Sequence, residues 1–461
     1  MRRAFASLAA LAAVASASVV SAQDMAITNA TVALGDGSDP IEGGTVVVRG
    51  GRIVAAGAGI AVPAGVPVMD GTGSWATPGL FAALTDIGLV DIDAVSESND
   101  KRASGSAFSA ALDVAPAINP MSQEFALGRE AGITRATVMP FASTSIFAGQ
   151  GALIDLGADR DAVRRPRAFQ YIELGESGAR RAGGSRTSAH ALLRNALREA
   201  RTLDGEARIP GSPVRGADQG FGDDIPVDPR LSGNDRAERA SDVLLTRFDA
   251  AALVPVLRGE QQLYVQVDRA QDILSAIALR DEFSRLDMVI VGAAEGWMVA
   301  REIAASGVPV IAAALTDLPA QFEQLASTQS NVGRMQDAGV TVAIGKFDTN
   351  GSHPRDAMQM AGNLVALNKI PGATGLSWGE ALAAISSVPA RISGAGSGVG
   401  VLRPGAVGDV VIWDGDPLEL SSAPVRVFID GVEQPFTSHQ SRLKDRYRDL
   451  DESDLPKAYD W

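Results

Sequence analysis

The run Leu263-Tyr264-Val265-Gln266-Val267 is followed by a helical pattern over Ala270–Leu286 and then by Met288-Val289-Ile290-Val291. Two short, almost wholly apolar strands joined by a helix-length connection are what a parallel pair buried on both faces requires. The alternation extends in both directions. Upstream, the strand candidates Ile133–Met139 and Ala168–Leu174 precede a helical pattern over His190–Thr202. Downstream, Gly296–Ala305 and Pro319–Ala326 read as helices interleaved with strand candidates Val308–Ala313 and Val340–Ile344. Strand–helix repetition over this length fits an α/β fold of the (β/α)8 TIM-like barrel class better than an open doubly wound sheet. No Gly-x-Gly-x-x-Gly opens a helix, so dinucleotide binding has no support.

The two ends of the chain have a different texture. Ala26–Val32, Gly44–Val48 and Arg52–Ala56 are β-branched runs punctuated by glycine, and the pattern returns at Asp409–Trp413 and Val425–Ile429 before the turn Asp430-Gly431. Neither end has enough strands to close a core alone. The expected solution is one small β-sandwich built from both termini, residues 23–76 and 398–435, with the barrel inserted as residues 77–397. Residues 203–240, rich in Gly, Asp, Pro and Arg, read as a long insertion at one mouth of the barrel. Residues 436–461 read as a charged C-terminal tail.

Composition narrows the chemistry. At 461 residues with 46% hydrophobic and 21% charged side chains the chain can bury a large core, and a net charge of −14 argues against nucleic acid or an anionic membrane as partner. The absence of cysteine excludes disulfides, thiolate nucleophiles and cysteine-based metal sites. Only three histidines are present, His190, His353 and His439. Arg2 and Arg3 precede an apolar, Ala/Ser-rich run that ends at Val20-Ser21-Ala22, the pattern of a cleavable signal peptide over residues 1–22. The expected product is an exported, periplasmic protein beginning at Gln23, with no membrane association after cleavage.

Two further stretches resemble a known family. Asp70-Gly71-Thr72-Gly73-Ser74-Trp75-Ala76-Thr77-Pro78-Gly79-Leu80 is similar to the entry into the barrel of the amidohydrolase superfamily, in its imidazolonepropionase-like branch. Pro389-Ala390-Arg391-Ile392 and Gly400-Val401-Leu402-Arg403-Pro404-Gly405-Ala406-Val407-Gly408-Asp409 are similar to that family's exit. The resemblance implies a hydrolase of C–N bonds that holds one or two divalent metal ions at the C-terminal face of the barrel. Dimers are usual in such a family.

The ligands that the resemblance implies are mostly replaced. Its first strand ends in His-x-His, where this chain has Leu84 and Asp86. Its bridging lysine corresponds to Tyr171 and its fifth-strand histidine to Gln266, and the sixth strand ends without histidine at Gly292-Ala293-Ala294. The eighth-strand aspartate survives as Asp348, and His353 lies just beyond it, where relatives carry a similar loop. A metal ion lowers the pKa of bound water from ~15.7 to about 7, and no residue left here replaces that. The pocket at the former ligand positions is therefore expected to comprise Leu84, Asp86, Tyr171, Gln266 and His353. Asp348 is the one candidate catalytic group, and no metal cofactor is expected.

Two readings follow. The favoured one is a metal-free binding or partner subunit, a pseudoenzyme that forms homo-oligomers or pairs with an intact homologue. The alternative is an active hydrolase whose carboxylates Asp86, Asp268 and Asp348 hold one hard cation. Bland roles compete throughout: Asp86 as a helix cap or ion-pair partner, Asp348 as an ordinary carboxylate, His353 as a packed loop residue.

Overall fold

The computed structural model describes residues 22–206, 244–347 and 353–448. The leader expected before Ala22, most of the 203–240 insertion, Asp348 and the end of the tail lie outside the described residues.

Strands β1 (Met25–Val32), β2 (Ile41–Arg49), β3 (Arg52–Gly57), β4 (Val68–Asp70) and β5 (Trp75–Pro78) open the chain, and β6 (Leu80–Thr85) follows at once. The central strands are β7 (Ile133–Val138), β8 (Phe147–Asp155), β9 (Val163–Glu173), β10 (Gln262–Val267), β11 (Met288–Gly292), β12 (Val310–Ala312) and β13 (Val342–Ile344). Strands β14 (Val410–Trp413), β15 (Pro424–Ile429) and β16 (Val432–Glu433) close it. Strands from both ends share one hydrogen-bonded sheet of order β16-β15-β14-β5-β1-β2-β3, with β4 also on β1. The joint between the ends is the antiparallel pair β5–β14. Neither end could cover its apolar face without the other: Ile27, Val46 and Ile53 pack with Val410, Ile412 and Phe428 in a single cluster.

The second sheet runs β13-β12-β11-β10-β9-β8-β7-β6, and a parallel bridge between Ala83 and Gly345 nearly closes it into a barrel. The barrel departs from an all-parallel pattern at one strand. β8 is antiparallel to both β7 and β9. Its two connections, 139–146 and 156–162, contain no helix, and a parallel crossover needs a dozen or more residues, so the chain turns back as hairpins instead. Alternation alone misses β8 because Gly149 and Gly151 interrupt its apolar run. Gly151 is required there, since a Cβ would collide with the Phe169 ring that stacks on Tyr264 at 4.2 Å.

Three expected helices are also reshaped, and Gly296–Ala305 opens as the 3-10 turn Gly296–Val299 before the α-helix Ala300–Ser306. Ala270–Leu286 divides into Ala270–Ile277 and Leu279–Glu282. Pro319–Ala326 contributes only the 3-10 turn Phe322–Gln324, because Leu318, Phe322 and Leu325 stay exposed and offer no buried face to stabilise a longer helix. Among the described residues no helix is long and apolar enough to cross a membrane.

Beneath the barrel a buried arginine ties the two sheets together. Arg135, on β7, donates from Nε to Asp409 at 2.8 Å and from Nη2 to Asp430 at 2.7 Å. Burial opposes the guanidinium charge, but Asp409, Asp430 and Asp155 outweigh it and raise the pKa further. Nearby, the buried Trp413 indole donates to Thr77 Oγ1 at 2.9 Å. The residue entering β7, Gly132, has φ +79° and lies against that indole, which leaves no room for a side chain.

Candidate functional site

The barrel interior is packed rather than open. Phe81, Leu84, Met139, Phe169, Tyr171, Tyr264, Val291 and Ile311 form one buried cluster. All barrel strands but β8 run in one direction, so their C-terminal ends meet at a common mouth.

Three strands reach that mouth with left-handed backbone at a residue other than glycine. Leu84 has φ +61°, Ala293 at the end of β11 has φ +50°, and Lys346 just beyond β13 has φ +68°. Such conformations are sparsely populated and persist only where neighbours over-determine them. At Leu84 the cause is visible: its N–H donates to Thr137 Oγ1 at 2.8 Å, and its carbonyl accepts from Phe347 N at 2.8 Å.

Two of the expected pocket residues meet directly. The Tyr171 hydroxyl donates to Gln266 Oε1 at 3.0 Å, and Gln266 Nε2 donates to Asp268 Oδ2 at 3.1 Å. Asp268 Oδ1 accepts from Ala294 N at 3.1 Å. Burial pushes the Asp268 carboxyl above the ordinary range, while the Lys346 charge and the hydrogen bonds pull the other way. Leu84 packs in the same apolar cluster as Tyr171. The strand alternation of β9 and β10 places Tyr171 and Gln266 inward, and Asp268 follows where β10 ends.

Asp86 stands apart from this chain of contacts. It is 2% exposed, and its Oδ2 lies 3.7 Å from the Lys101 ammonium, which also sits 2.7 Å from Asp93 Oδ1. His353 lies at the rim and opens the 3-10 turn Pro354–Asp356, with its N–H on Asp356 Oδ2 at 3.0 Å. A pocket of about 100 Å³ separates it from Glu124, with Ile87, Leu127, Gly128, Pro354 and Arg355 completing the wall. Burial raises the Glu124 carboxyl, His353 and Arg355 oppose the rise, and Asp86 adds to it. His190 sits on the outer helix Arg186–Glu206 and His439 begins the helix His439–Arg446; neither faces the mouth cluster.

Sequence reasoning overlooked the lysines at the mouth and the buried acids behind it. Glu295 accepts from Ala270 N at 3.0 Å and from Ala326 N at 3.1 Å, bracing the loops after β10, β11 and β12. Glu323 accepts from Glu176 N at 2.6 Å and from Arg186 at 3.2 Å. The scarcity of lysine was the one usable signal, since Lys101 and Lys346 are two of only five.

The described donors fit a divalent centre poorly. Leu84 offers no donor, Tyr171 and Gln266 are neutral and bonded to each other, and Asp268 already accepts from an amide and a backbone N–H. Among the described residues no group of three or more His, Cys, Asp or Glu side chains is placed to hold a metal ion. What the arrangement does present is a directed hydrogen-bond relay ending on a buried carboxylate.

With this geometry in view, an amidohydrolase family model matches residues 288–433. The match is confined to that third of the chain. It spans β11 to β16. A protein described as "Amidohydrolase tasK" from Hapsidospora irregularis is 43% identical over 60 residues, which is 13% of this chain and 6% of that protein's length. Among solved structures, the amidohydrolase from Thermotoga maritima MSB8 superposes with a TM-score of 0.71 at 22% identity, covering 89% of this chain and 99% of that one. Its likeness concerns the fold. An adenosine deaminase from Xanthomonas campestris, solved with bound zinc, aligns at 16% identity and a TM-score of 0.47 over 92% of this chain and 97% of its own.

Proposed function

We propose that this chain is an exported amidohydrolase-fold protein that works as a metal-free binding or partner subunit. One observation carries the reading: where the resemblance calls for metal ligands, Leu84 is buried in the interior apolar cluster and the Tyr171 hydroxyl donates to Gln266, whose amide donates in turn to Asp268. A divalent ion must be repaid for lost hydration by charged or imidazole donors, and these three positions supply none. In the same reading residues 1–22 are removed on export to the periplasm. Residues 23–76 and 398–435 form the composite sandwich that carries a barrel of residues 77–397, with 436–461 as the tail. The mouth takes a small molecule without hydrolysing it, and the partner is a second copy or an intact homologue.

Metal analysis of the mature protein tests this. Zn, Mn, Fe and Ni should each remain below about one tenth of an equivalent, and a chelator should leave the melting temperature unchanged. Stoichiometric metal, or turnover of a cyclic amide or dipeptide that a chelator abolishes, would overturn it. Mature protein from the native host should begin at Gln23, and a retained Arg2-Arg3 would remove the export part alone.

A further inference from the structure

The mouth of the barrel holds two ammonium groups in a chain with only five lysines. Lys101 is the more confined. Its side chain is 8% exposed, and it lies between Asp86 Oδ2 at 3.7 Å and Asp93 Oδ1 at 2.7 Å. The Phe141 ring lies 5.5 Å from the ammonium, and the Phe141 N–H donates to the Lys101 carbonyl at 2.8 Å. A lysine is rarely buried this far unless its charge is matched, because its desolvation is costly. Asp86, 2% exposed, has the same need from the other side.

Asp86 also has a position. It takes the second place of the histidine pair that the resemblance implies at the end of the first barrel strand, where a metal ion would supply positive charge. We propose that the Lys101 ammonium is a resident counter-cation that takes over the electrostatic role of a divalent ion at the end of β6, holding Asp86 and Asp93 together and pinning the 86–101 loop across the mouth. The loop has its own supports, including Asp100 N on Leu89 O at 2.8 Å and Asp91 N on Ser98 O at 3.1 Å, so the lysine anchors a preformed turn. A fixed positive charge beside the two carboxylates repels an incoming divalent ion and holds one oxygen of Asp93 in a hydrogen bond. Across the mouth Lys346 bears on Asp268 in the same sense.

The proposal rests on the metal-free reading, and its test is separable from that reading. The mature protein is titrated with Mn²⁺ alone, by calorimetry and by thermal shift, as wild type, Lys101→Met and Lys101→Arg. Lys101→Met should bind Mn²⁺ at least about tenfold more tightly than wild type, a coupling of ordinary size between two cations competing for one pair of carboxylates. Lys101→Arg should behave as wild type, and adding Asp86→Asn to Lys101→Met should abolish the gain. A folded Lys101→Met protein with no gain overturns the proposal while leaving the metal-free reading intact; stoichiometric metal in the wild type overturns both. Should Lys101→Met fail to fold, Asp93→Asn keeps the question open to experiment. It should speed proteolytic cleavage within 86–101 by about fivefold, as expected for a lost ion pair of modest strength, and an unchanged rate overturns the proposal.

Discussion

From β10 to β13 the barrel alternates strand and helix in regular order, whereas from β6 to β9 it runs through two hairpins and reverses strand direction twice. The amidohydrolase family match begins at β11, inside the regular half. Leu84 and Tyr171, two of the positions at which the resemblance implies metal ligands, lie on β6 and β9 in the irregular half. The comparison teaches where each half draws its stability. The regular half is built from local strand–helix units, each burying its own apolar face. The irregular half depends on long-range ties: Thr137 to Leu84, Phe169 to Tyr264, and above all Arg135 to Asp409 and Asp430.

Cutting the strongest of those ties gives the largest expected effect. Arg135→Met leaves Asp409 buried without its cation and should cost about 3–5 kcal/mol in a denaturant titration. A loss below about 1 kcal/mol would mean that the irregular half does not lean on the terminal sheet. Next comes the packed mouth. Leu84→Ala should cost roughly 2–5 kcal/mol by opening a cavity. Leu84→Gly should cost about 1 kcal/mol less, although it removes the Cβ as well, because glycine relieves the positive φ. Equal losses in the two variants would show that the backbone at Leu84 is unstrained.

The regular half yields a prediction about pH. Burial raises the Asp268 carboxyl in the folded protein above its ordinary value of about 3.9. Between that value and the raised one, the folded state holds a proton that the unfolded state has released, so stability falls as pH rises through this window. Asp268→Asn should therefore gain stability relative to wild type on going from about pH 4 to pH 7, read as the difference in urea midpoints. A difference that is flat or of opposite sign would mean that the field of Lys346 outweighs burial. The smallest effect belongs to a purely local contact. Ser377 Oγ accepts from Glu380 N at 3.3 Å and begins the helix Trp378–Ala383, so Ser377→Ala should cost about 1 kcal/mol. A much larger loss would show that helices outside the irregular half also depend on long-range ties.

Much of the candidate site was legible in outline. The inward alternation of Tyr171 and Gln266 follows from strands of period two, and the structure brings the pair together. In sequence Asp86 reads as a pocket residue or, failing that, as a helix cap or the partner of an arginine; its ion-pair partner is the loop lysine Lys101. That partner was hidden because Lys101 reaches Asp86 through the fold of the 86–101 loop, which no periodicity encodes. His353 was legible as a rim residue, but its neighbour Glu124 comes from a helix more than two hundred positions earlier.

The sequence by itself determined what depends on near neighbours: the strand–helix alternation of the central region and the β texture of both ends. Tertiary structure alone decided what depends on partners distant along the chain. It paired β5 with β14, reversed β8 between β7 and β9, set the Lys101 charge against Asp86, and held Leu84 in a left-handed backbone. The physical reason is that local pattern constrains only the face a residue presents. Which group meets that face, and whether a buried charge finds its counter-charge, is settled when the two sheets and the mouth loops pack together.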